Sequence, residues 1–314
     1  MRSYTLIAPA KINLYLEIIG DRDDGYHELA MILQSIQLAD QIEIESNDVQ
    51  LIRLRCDSKE IPVDRSNLAY RAADLMVSEF PDSFATYGGV DITLHKRIPV
   101  AAGLAGGSTD AAAVLVGIDL LWKLGLTRSE LEELAAKLGS DIPFCIGGGT
   151  AIATGRGEKL SELLGLSNTY IVLAKYRSLE VSTPWAYKTY RSLYRDTNIK
   201  DTEDLVVRKN AVHSGEIVKA ISNQDASQVA EKMHNDLEKV VLPEYPQVLK
   251  LKESFAKYDI LGTMMSGSGP SVFALCDSKE KAEQVKINLR NEIPDPDLEL
   301  FVTKLINHGI QVIS

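Results

Sequence analysis

A glycine-rich segment at residues 99–109, Pro-Val-Ala-Ala-Gly-Leu-Ala-Gly-Gly-Ser-Thr, limits more than any other feature what this chain can fold into. Its glycines let the backbone approach a ligand closely and adopt positive φ angles. A helix-like stretch follows directly, and the start of a helix offers unpaired N–H groups and the positive end of its dipole. A tight turn that only lets this helix pack is the alternative. The hydroxyls of Ser108 and Thr109 at the helix start favour a phosphate-binding loop.

The spacing within this segment excludes two common nucleotide-binding motifs. No Gly-Lys-Ser/Thr follows the glycines, here or elsewhere in the chain, so the sequence has no Walker A loop. The glycines are spaced Gly-x-x-Gly-Gly, and no acidic residue is suitably placed after a second strand. This pattern differs from the dinucleotide fingerprint and makes a Rossmann-type oxidoreductase the weakest reading.

The residue pattern predicts an α+β chain. Residues 4–8 and 12–19 are rich in β-branched and aromatic residues and indicate strands. Residues 67–80 and 110–124 have the apolar spacing of helices. The second half of the chain also mixes strand-like and helix-like segments.

Residues that favour helix N-termini place several helix starts. Ser108 or Thr109 is predicted to cap the helix that follows the glycine-rich segment. Thr127 and Glu130 have the spacing of a capping box for the next helix. Thr183, followed by proline, is predicted to cap a helix in the second half.

The length of the chain, 314 residues, predicts two domains at roughly 150 residues per domain. We place the boundary near Gly165, which gives domains of residues 1–165 and 166–314. The sequence contains no repeats, low-complexity tracts or long linkers.

The composition is that of a soluble protein. With 34 basic and 44 acidic residues the formal net charge is −10, which argues against nucleic-acid and anionic-membrane partners. Cys56, Cys145 and Cys276 form neither a disulfide framework nor a metal-binding spacing, so a reducing compartment fits best. No signal peptide or long apolar run is present. We therefore expect a cytoplasmic protein.

Polar residues elsewhere in the first half are candidates for chemistry. Lys11 and Asn13 lie two residues apart and share one face of a predicted strand, where Lys11 could neutralise a phosphate. A solvated lysine is the alternative. Asp141 lies between a helix end and a predicted strand and could accept the proton of an attacking hydroxyl. Spacing alone does not favour it over Asp110 or Asp119.

Two further segments are weaker signals when each is taken alone. In Gly-Tyr-His-Glu-Leu at residues 25–29, Tyr26 and His27 could stack on and hydrogen-bond a ring. A second glycine-rich segment, Met-Ser-Gly-Ser-Gly-Pro-Ser at residues 265–271, reads as a turn between strands.

Taken together, three segments resemble the signature motifs of the GHMP kinase superfamily. They are Ala-Pro-Ala-Lys-Ile-Asn-Leu at residues 8–14, the glycine-rich segment at residues 99–109, and Ser-Gly-Ser-Gly-Pro-Ser at residues 266–271. The resemblance covers nearly the whole chain. It implies a ribosomal-protein-S5-domain-2-like N-terminal domain, a ferredoxin-like C-terminal domain, and a substrate lying between them.

Within the superfamily, the similarity is to the kinases of the non-mevalonate route to isoprenoid precursors. Residues 11–14, 25–29, 106–112 and 139–144 carry it. It implies transfer of the γ-phosphoryl group of ATP to the 2-hydroxyl of 4-diphosphocytidyl-2-C-methyl-D-erythritol. The acceptor is therefore a small molecule. A monomer or a homodimer is expected.

The resemblance also implies roles for individual residues. Asp141 would orient or deprotonate the acceptor alcohol, and Lys11 would keep Asp141 ionised and stabilise charge on the substrate oxygens. The acceptor would be bound by Asn13, Tyr26, His27 and Tyr187. ATP would be bound by Asn67, Lys96, Pro99, Val100, Ala101, Ala102, Gly103, Leu104, Ala105, Gly106, Gly107, Ser108 and Thr109.

The chain departs from the superfamily pattern at a few positions. Ala105 stands where many members carry Gly, and Thr109 where many carry Ser. The segment that contains Tyr187 differs in length, which leaves Trp185 as an alternative partner for the cytosine ring. ATP chemistry calls for Mg²⁺, and Ser108 is the one candidate ligand.

Two other functions remain open at this point. Another GHMP kinase, such as a homoserine kinase, would use the same ATP loop with a different acceptor. An ATP-binding sensor on the same fold would be expected to lack Lys11 or Asp141, and both are present.

Overall fold

A computed structural model describes residues 2–166, 168–197, 199 and 201–313 of the chain. The strands are β1 (Ser3–Asp21), β2 (His27–Asn47), β3 (Ile52–Cys56), β4 (Gly89–His95), β5 (Thr150–Gly155), β6 (Lys159–Leu163), β7 (Tyr170–Tyr176), β8 (His234–Asn235), β9 (Gly262–Met265), β10 (Val272–Cys276), β11 (Leu298–Lys304) and β12 (Gln311–Val312). Together with the helices below, they confirm the predicted α+β class.

The helices lie between these strands and vary widely in length. They are α1 (Leu68–Glu79), α2 (Pro81–Tyr87), α3 (Gly106–Trp122), α4 (Arg128–Ala136), α5 (Ile142–Gly147), α6 (Thr183–Tyr194), α7 (Thr202–His213), α8 (Glu216–Ser222), α9 (Ala226–Lys232), α10 (Glu238–Glu244), α11 (Pro246–Phe255) and α12 (Lys279–Glu292). No helix of the described residues has both the length and the apolar character that a membrane span requires.

The larger sheet is built around the long antiparallel pair β1 and β2. Within the described residues it has eight strands, with β12, β1, β2, β4 and β3 as successive neighbours. β5 pairs with β2 and β6, and β8 pairs in parallel with β1. Strands from the second half of the chain therefore complete a sheet that the first half begins.

β1 is one strand, not the two separate strands predicted at residues 4–8 and 12–19. Its register against β2 shifts between Pro9 and Lys11, and again between Asn13 and Tyr15. A proline has no N–H to donate, and a strand accommodates it at such a bulge. The bulges thus allow β1 to continue past Pro9.

The smaller sheet consists of strands from the second half of the chain. Within the described residues it has four antiparallel strands in the order β11, β7, β10, β9. With α12 between β10 and β11 and helices between β7 and β9, the order matches the ferredoxin-like βαββαβ arrangement. This agrees with the predicted C-terminal fold.

The helices α1, α3 and α4 cover one face of the larger sheet. Their buried residues form a continuous apolar core with those of β1, β2 and β4, in which Leu6, Ile44 and Leu115 are fully buried. Gly117 lies where α3 passes over β2, and a β-carbon there would come within 2.7 Å of the side chain of Ile44. The packing of α3 on the sheet holds the glycine-rich loop in place.

The start of α3 corrects a prediction. The helix begins at Gly106, and its N-cap is Ala105 in a left-handed conformation with φ 59°. Ser108 and Thr109 therefore lie inside the first turn and do not cap the helix. The helix starts earlier because Gly106 and Gly107 adopt helical geometry, so the backbone of the loop and not a hydroxyl sets its first residue.

Two other cap predictions have opposite outcomes. The capping box of Thr127 and Glu130 is confirmed, since each side chain bonds the backbone N–H of the other residue. The prediction for Thr183 is wrong, because Ser182 caps α6 by accepting from the N–H of Trp185 at 3.3 Å. The Thr183 hydroxyl instead lies 2.7 Å from that of Ser268.

Candidate active site

Most of the residues singled out in the sequence line one cavity of about 840 Å³. The cavity lies where β1, the turn after it, the glycine-rich loop and α6 meet. The predicted residues that line it are Lys11, Asn13, Tyr26, His27, Lys96, Pro99, Val100, Ala101, Ala102, Gly103, Ala105, Gly106, Gly107, Ser108, Asp141 and Tyr187. Segments far apart in the sequence are thus brought together.

Four predicted or alternative residues are not among the lining residues. Leu104 and Thr109 are buried beneath the loop surface. Asn67 caps α1: its Oδ1 accepts from the N–H of Ala69 at 2.8 Å, and its Nδ2 donates to the carbonyl of Pro62 at 2.7 Å. Trp185 packs edge-on against the ring of Tyr245.

The glycine-rich loop is held against the second glycine-rich segment. A β-carbon at Gly103, where φ is +72°, would collide with the carbonyl oxygen of Ser266. The Ser266 hydroxyl donates to the Gly103 carbonyl at 3.2 Å, and the Lys11 N–H donates to the Leu104 carbonyl at 3.1 Å. The close approach requires a glycine, and it leaves the start of α3 facing the cavity.

Lys11 and Asp141 form an ion pair at the floor of the cavity. Lys11 Nζ lies 3.5 Å from Asp141 Oδ2 and donates to Asn13 Oδ1 at 2.9 Å. The Lys11 side chain is 6% exposed and that of Asp141 is 34% exposed. The lysine is therefore withdrawn from solvent, while the carboxylate can be reached by a bound molecule.

Local structure explains how these side chains reach one another. Asp141 occupies the N-cap position of α5 without making a side-chain cap hydrogen bond, so its carboxylate is directed elsewhere. The sequence suggested that a strand follows Asp141, but the structure shows the short helix α5 there. Asn13 Nδ2 contacts the sulfur of Met31 on the neighbouring strand at 3.5 Å, which places the Asn13 oxygen toward Lys11.

Aromatic side chains surround the other end of the cavity. The rings of His27 and Tyr187 stack with centroids 5.4 Å apart and an interplanar angle of 27°. Tyr26 is 55% exposed, and the guanidinium carbon of Arg156 lies 5.0 Å from its ring centroid. Burial, followed by the charge of Asp141, raises the pKa of Tyr187 above its usual range.

His27 is buried among groups that influence its charge. Its Nδ1 lies 3.2 Å from Asp21 Oδ1, and its Nε2 lies 3.3 Å from the carbonyl oxygen of Tyr187. Burial and then the positive charge of Arg191 lower the pKa of His27, and Asp21 only partly offsets them. The lowered pKa favours the neutral form of the ring.

Lys96 lies between two buried carboxylates behind the glycine-rich loop. Its Nζ contacts Asp40 and Asp110, and Asp40 Oδ1 also accepts from the N–H groups of Arg97 and Ile98. Burial raises the pKa of Asp110 above its usual range, although Lys96 opposes the change. These contacts tie the beginning of the loop to the first turn of α3.

Comparison with known proteins identifies the family. The family model described as "GHMP kinases N terminal domain" matches residues 67–149, and the model described as "GHMP kinases C terminal" matches residues 217–295. The chain belongs to the GHMP kinase family. The matched ranges include the glycine-rich loop, Asp141 and residues 266–271.

Individual relatives are similar over the full length of this GHMP kinase. It is 69% identical to the 4-diphosphocytidyl-2-C-methyl-D-erythritol kinase of Trichormus variabilis, covering 100% of this chain and 99% of the relative. A solved 4-(cytidine 5'-diphospho)-2C-methyl-D-erythritol kinase is 30% identical, with a TM-score of 0.73 over 96% of this chain and 98% of that one. The homoserine kinase of Cytophaga hutchinsonii has a TM-score of 0.74 at 19% identity over 100% and 98% of the two chains, a likeness of fold alone.

The cavity of this GHMP kinase also contains residues that sequence reasoning missed. Arg156, Thr183, Lys188 and Arg191 line it. Gly267 and Ser268, which belong to the third signature segment noted in the sequence, line it too. Lys188 directly follows Tyr187, and Arg191 lies one helical turn beyond it. The sequence held no motif around these cations. Their position follows from the way α6 meets the turn after β1.

Proposed function

We propose that this GHMP kinase transfers the γ-phosphoryl group of ATP to the 2-hydroxyl of 4-diphosphocytidyl-2-C-methyl-D-erythritol. The observation that carries the proposal is the joint placement in one cavity of a glycine-rich loop, the Lys11–Asp141 pair and the aromatic group of His27 and Tyr187. The names of the relatives that share the full length of the chain support the same acceptor.

ATP would bind against the glycine-rich loop. Residues 99–109 would wrap the phosphates of ATP. The N–H groups at the start of α3 and the positive end of its dipole suit these negative groups. Lys96 would act near the nucleoside while it remains paired with Asp40 and Asp110. Asn67, whose side chain caps α1, would contribute to nucleoside binding by positioning the start of that helix.

The transfer step needs alignment and charge stabilisation more than covalent chemistry by the protein. The acceptor hydroxyl would give its proton to Asp141 as its oxygen bonds to the γ-phosphorus, and the bond from that phosphorus to the bridging oxygen would break to release ADP. Lys11 would stabilise the charge on the reacting oxygens, and Asn13 would hold the erythritol end of the acceptor.

The cytosine ring would lie between Tyr26 and Tyr187, with His27 reading its edge. Tyr187, and not Trp185, is the aromatic residue of α6 that lines the cavity. Arg156 and Lys188 would offset the two negative charges of the acceptor's diphosphate. The cavity thus supplies positive charge locally on a chain whose net charge is −10.

We expect the phosphates of ATP to be the main ligands of Mg²⁺. The described residues contain no cluster of three or more His, Cys, Asp or Glu side chains that could hold a metal ion. Mg²⁺ commonly takes most of its ligands from substrate phosphates and water. A cavity whose described residues form no metal-binding cluster is therefore compatible with a metal bound mainly by ATP. The Ser108 hydroxyl, at the cavity surface, would be its protein ligand.

We also propose a division of the chain near residue 165, a cytoplasmic location and a monomeric or homodimeric state. The division is supported by the two separate sheets, although β8 and β12 join the first. The location is supported by the acidic composition and by three cysteines that are all free.

A coupled ADP-release assay with Mg-ATP tests the proposed function. The acceptors would be 4-diphosphocytidyl-methylerythritol, homoserine, mevalonate and galactose, with ³¹P NMR of each product. We expect turnover with the cytidyl acceptor alone and a new phosphomonoester signal. Turnover with a different acceptor would contradict the proposed substrate and leave the ATP loop unaffected.

A further inference from the structure

Arg191 on α6 reaches across the cavity to the turn between β1 and β2, residues 22–26. Its Nη2 donates to the carbonyl oxygens of Gly25 and Tyr26, each at 2.9 Å. Its Nε donates to Asp21 Oδ1, also at 2.9 Å. One guanidinium therefore bonds two backbone carbonyls of the turn and the last residue of β1.

Apart from the contact of the Tyr26 ring with Arg156, the other contacts of the turn among the described residues are within the turn itself and with the start of β2. The Arg22 guanidinium bonds Asp24 and Glu28, and Asp24 Oδ1 accepts from the Tyr26 N–H at 3.1 Å. Asp24 and Tyr26 are largely exposed, and surface pairs of this kind hold a conformation weakly. The bonds from Arg191 link the turn to α6, which comes more than 160 residues later.

Arg191 and Tyr187 are four residues apart on α6 and thus lie on one face of the helix. The same face that stacks Tyr187 on His27 therefore also bonds the backbone of Tyr26. Because of this shared face, the separation between the rings of Tyr26 and Tyr187 depends on where α6 meets the turn.

Arg191 also shares a carboxylate with His27. Asp21 Oδ1 lies 2.9 Å from Arg191 Nε and 3.2 Å from His27 Nδ1. The charged groups with the largest effect on the pKa of His27 are Arg191 on α6, which lowers it, and Asp21 on β1, which raises it. Arg191 therefore positions the carboxylate that lies next to the ring, and its positive charge lowers the pKa of His27 and so favours the neutral ring.

We propose that Arg191 is a positioning residue for the base of the acceptor: it fixes the turn of residues 22–26 against α6, so that Tyr26, His27 and Tyr187 are in place before the acceptor binds. The inference rests on the proposed function, since it names how that same site recognises cytidine. Preorganisation of this kind acts on affinity for the acceptor and leaves the ATP loop untouched.

The test compares Arg191→Ala with Arg195→Ala as a matched control. Arg195 follows α6, is largely exposed, and its Nε lies 3.7 Å from Asp21 Oδ2. Dissociation constants of 4-diphosphocytidyl-methylerythritol and of ATP would be measured by calorimetry. For Arg191→Ala we expect the acceptor constant to rise roughly 10- to 100-fold, and the ATP constant to stay within about twofold. Arg195→Ala should leave both unchanged.

A second variant guards against misfolding and separates position from charge. Arg191→Lys keeps a positive charge but cannot bond two carbonyls and Asp21 at once. We expect it to weaken acceptor binding and to leave the pKa of His27, followed by NMR of the imidazole ring, close to that of the unmodified protein. Arg191→Ala should raise that pKa, because it removes the charge that opposes protonation.

The outcomes separate the inference from the function on which it rests. If the unmodified protein neither binds nor phosphorylates the cytidyl acceptor, the proposed function is wrong. The positioning role of Arg191 is tested only in a protein that binds and phosphorylates the cytidyl acceptor. It is wrong if either Arg191 variant binds the acceptor as tightly as before, or if the variant loses affinity for the acceptor and for ATP equally.

Discussion

The proposed role of Asp141 as proton acceptor can be tested with a single substitution. Its carboxylate faces the cavity 3.5 Å from Lys11 Nζ and makes no cap bond to α5. In Asp141→Asn the shape is kept and the proton acceptor is lost, so turnover should fall roughly 10²–10⁴-fold. The coupled ADP-release assay measures this. Turnover near that of the unmodified protein, with both substrates still bound in calorimetry, would contradict the role.

Two of the aromatic residues of α6, Trp185 and Tyr187, give a matched pair at the same scale. Tyr187 lines the cavity, whereas Trp185 packs against Tyr245. Tyr187→Ala should weaken binding of the cytidyl acceptor roughly 10- to 100-fold, because stacking on the base is lost. Trp185→Ala should leave acceptor binding unchanged once any loss of stability is measured by thermal unfolding. The reverse order would place Trp185 on the cytosine.

At the scale of elements, Asn235 connects β8 to the second glycine-rich segment. This buried side chain donates to the carbonyls of Met265 and Gly267, both at 2.8 Å, and accepts from the N–H of Leu237 at 3.0 Å. The site of a β-carbon on Gly267 lies 3.6 Å from Lys11 Nζ. Asn235 thus holds a loop that borders Lys11.

Removal of this amide should cost both stability and alignment. Asn235→Ala leaves three buried backbone groups without their partner, and we expect a loss of roughly 2–4 kcal/mol in the free energy of unfolding. Asn235→Asp keeps the volume but turns oxygens toward two carbonyls, so it should destabilise the protein as well. Urea unfolding measures both. A stability unchanged in Asn235→Asp would show that the two donated bonds contribute nothing.

At the scale of the whole molecule, Asp236 joins the second half of the chain to β1. Burial alone would raise its pKa, but hydrogen bonds from His234, Lys239 and the N–H of Ile18 outweigh burial and lower the pKa to about 2. A carboxyl with a lowered pKa stabilises the fold above its unfolded value of 3.8, and this contribution is lost as the pH falls toward about 2.

The pH dependence of unfolding tests this contribution. The difference between the two pKa values corresponds to about 2 kcal/mol at neutral pH. Asp236→Asn should therefore lower the free energy of unfolding at pH 7 and make its fall between about pH 4 and pH 2 less steep. Parallel curves for the two proteins over that range would mean that Asp236 does not carry the effect.

Many residues that line the cavity lie in short sequence motifs. The residues that α6 contributes opposite the turn after β1 do not. Lys11, Asn13, the glycine-rich loop and Asp141 could be predicted because each lies in a short segment that resembles the GHMP kinases. Spacing alone did not favour Asp141 over Asp110 or Asp119. The start of α3 was predicted too late, since the packing of Ala105 and the loop backbone sets it. Arg156, Lys188 and Arg191 carried no local pattern at all.

The α+β class, the capping box of α4 and the turns of the glycine-rich loop follow from local residue patterns, because alternation, caps and glycine spacing act within a few residues. Which side chains share the cavity depends instead on the packing of distant segments. Lys11 meets Asp141, and α6 meets the turn after β1, through contacts between residues more than 100 positions apart. Such contacts depend on how sheets and helices pack across the whole chain, and no local pattern of residues records that packing.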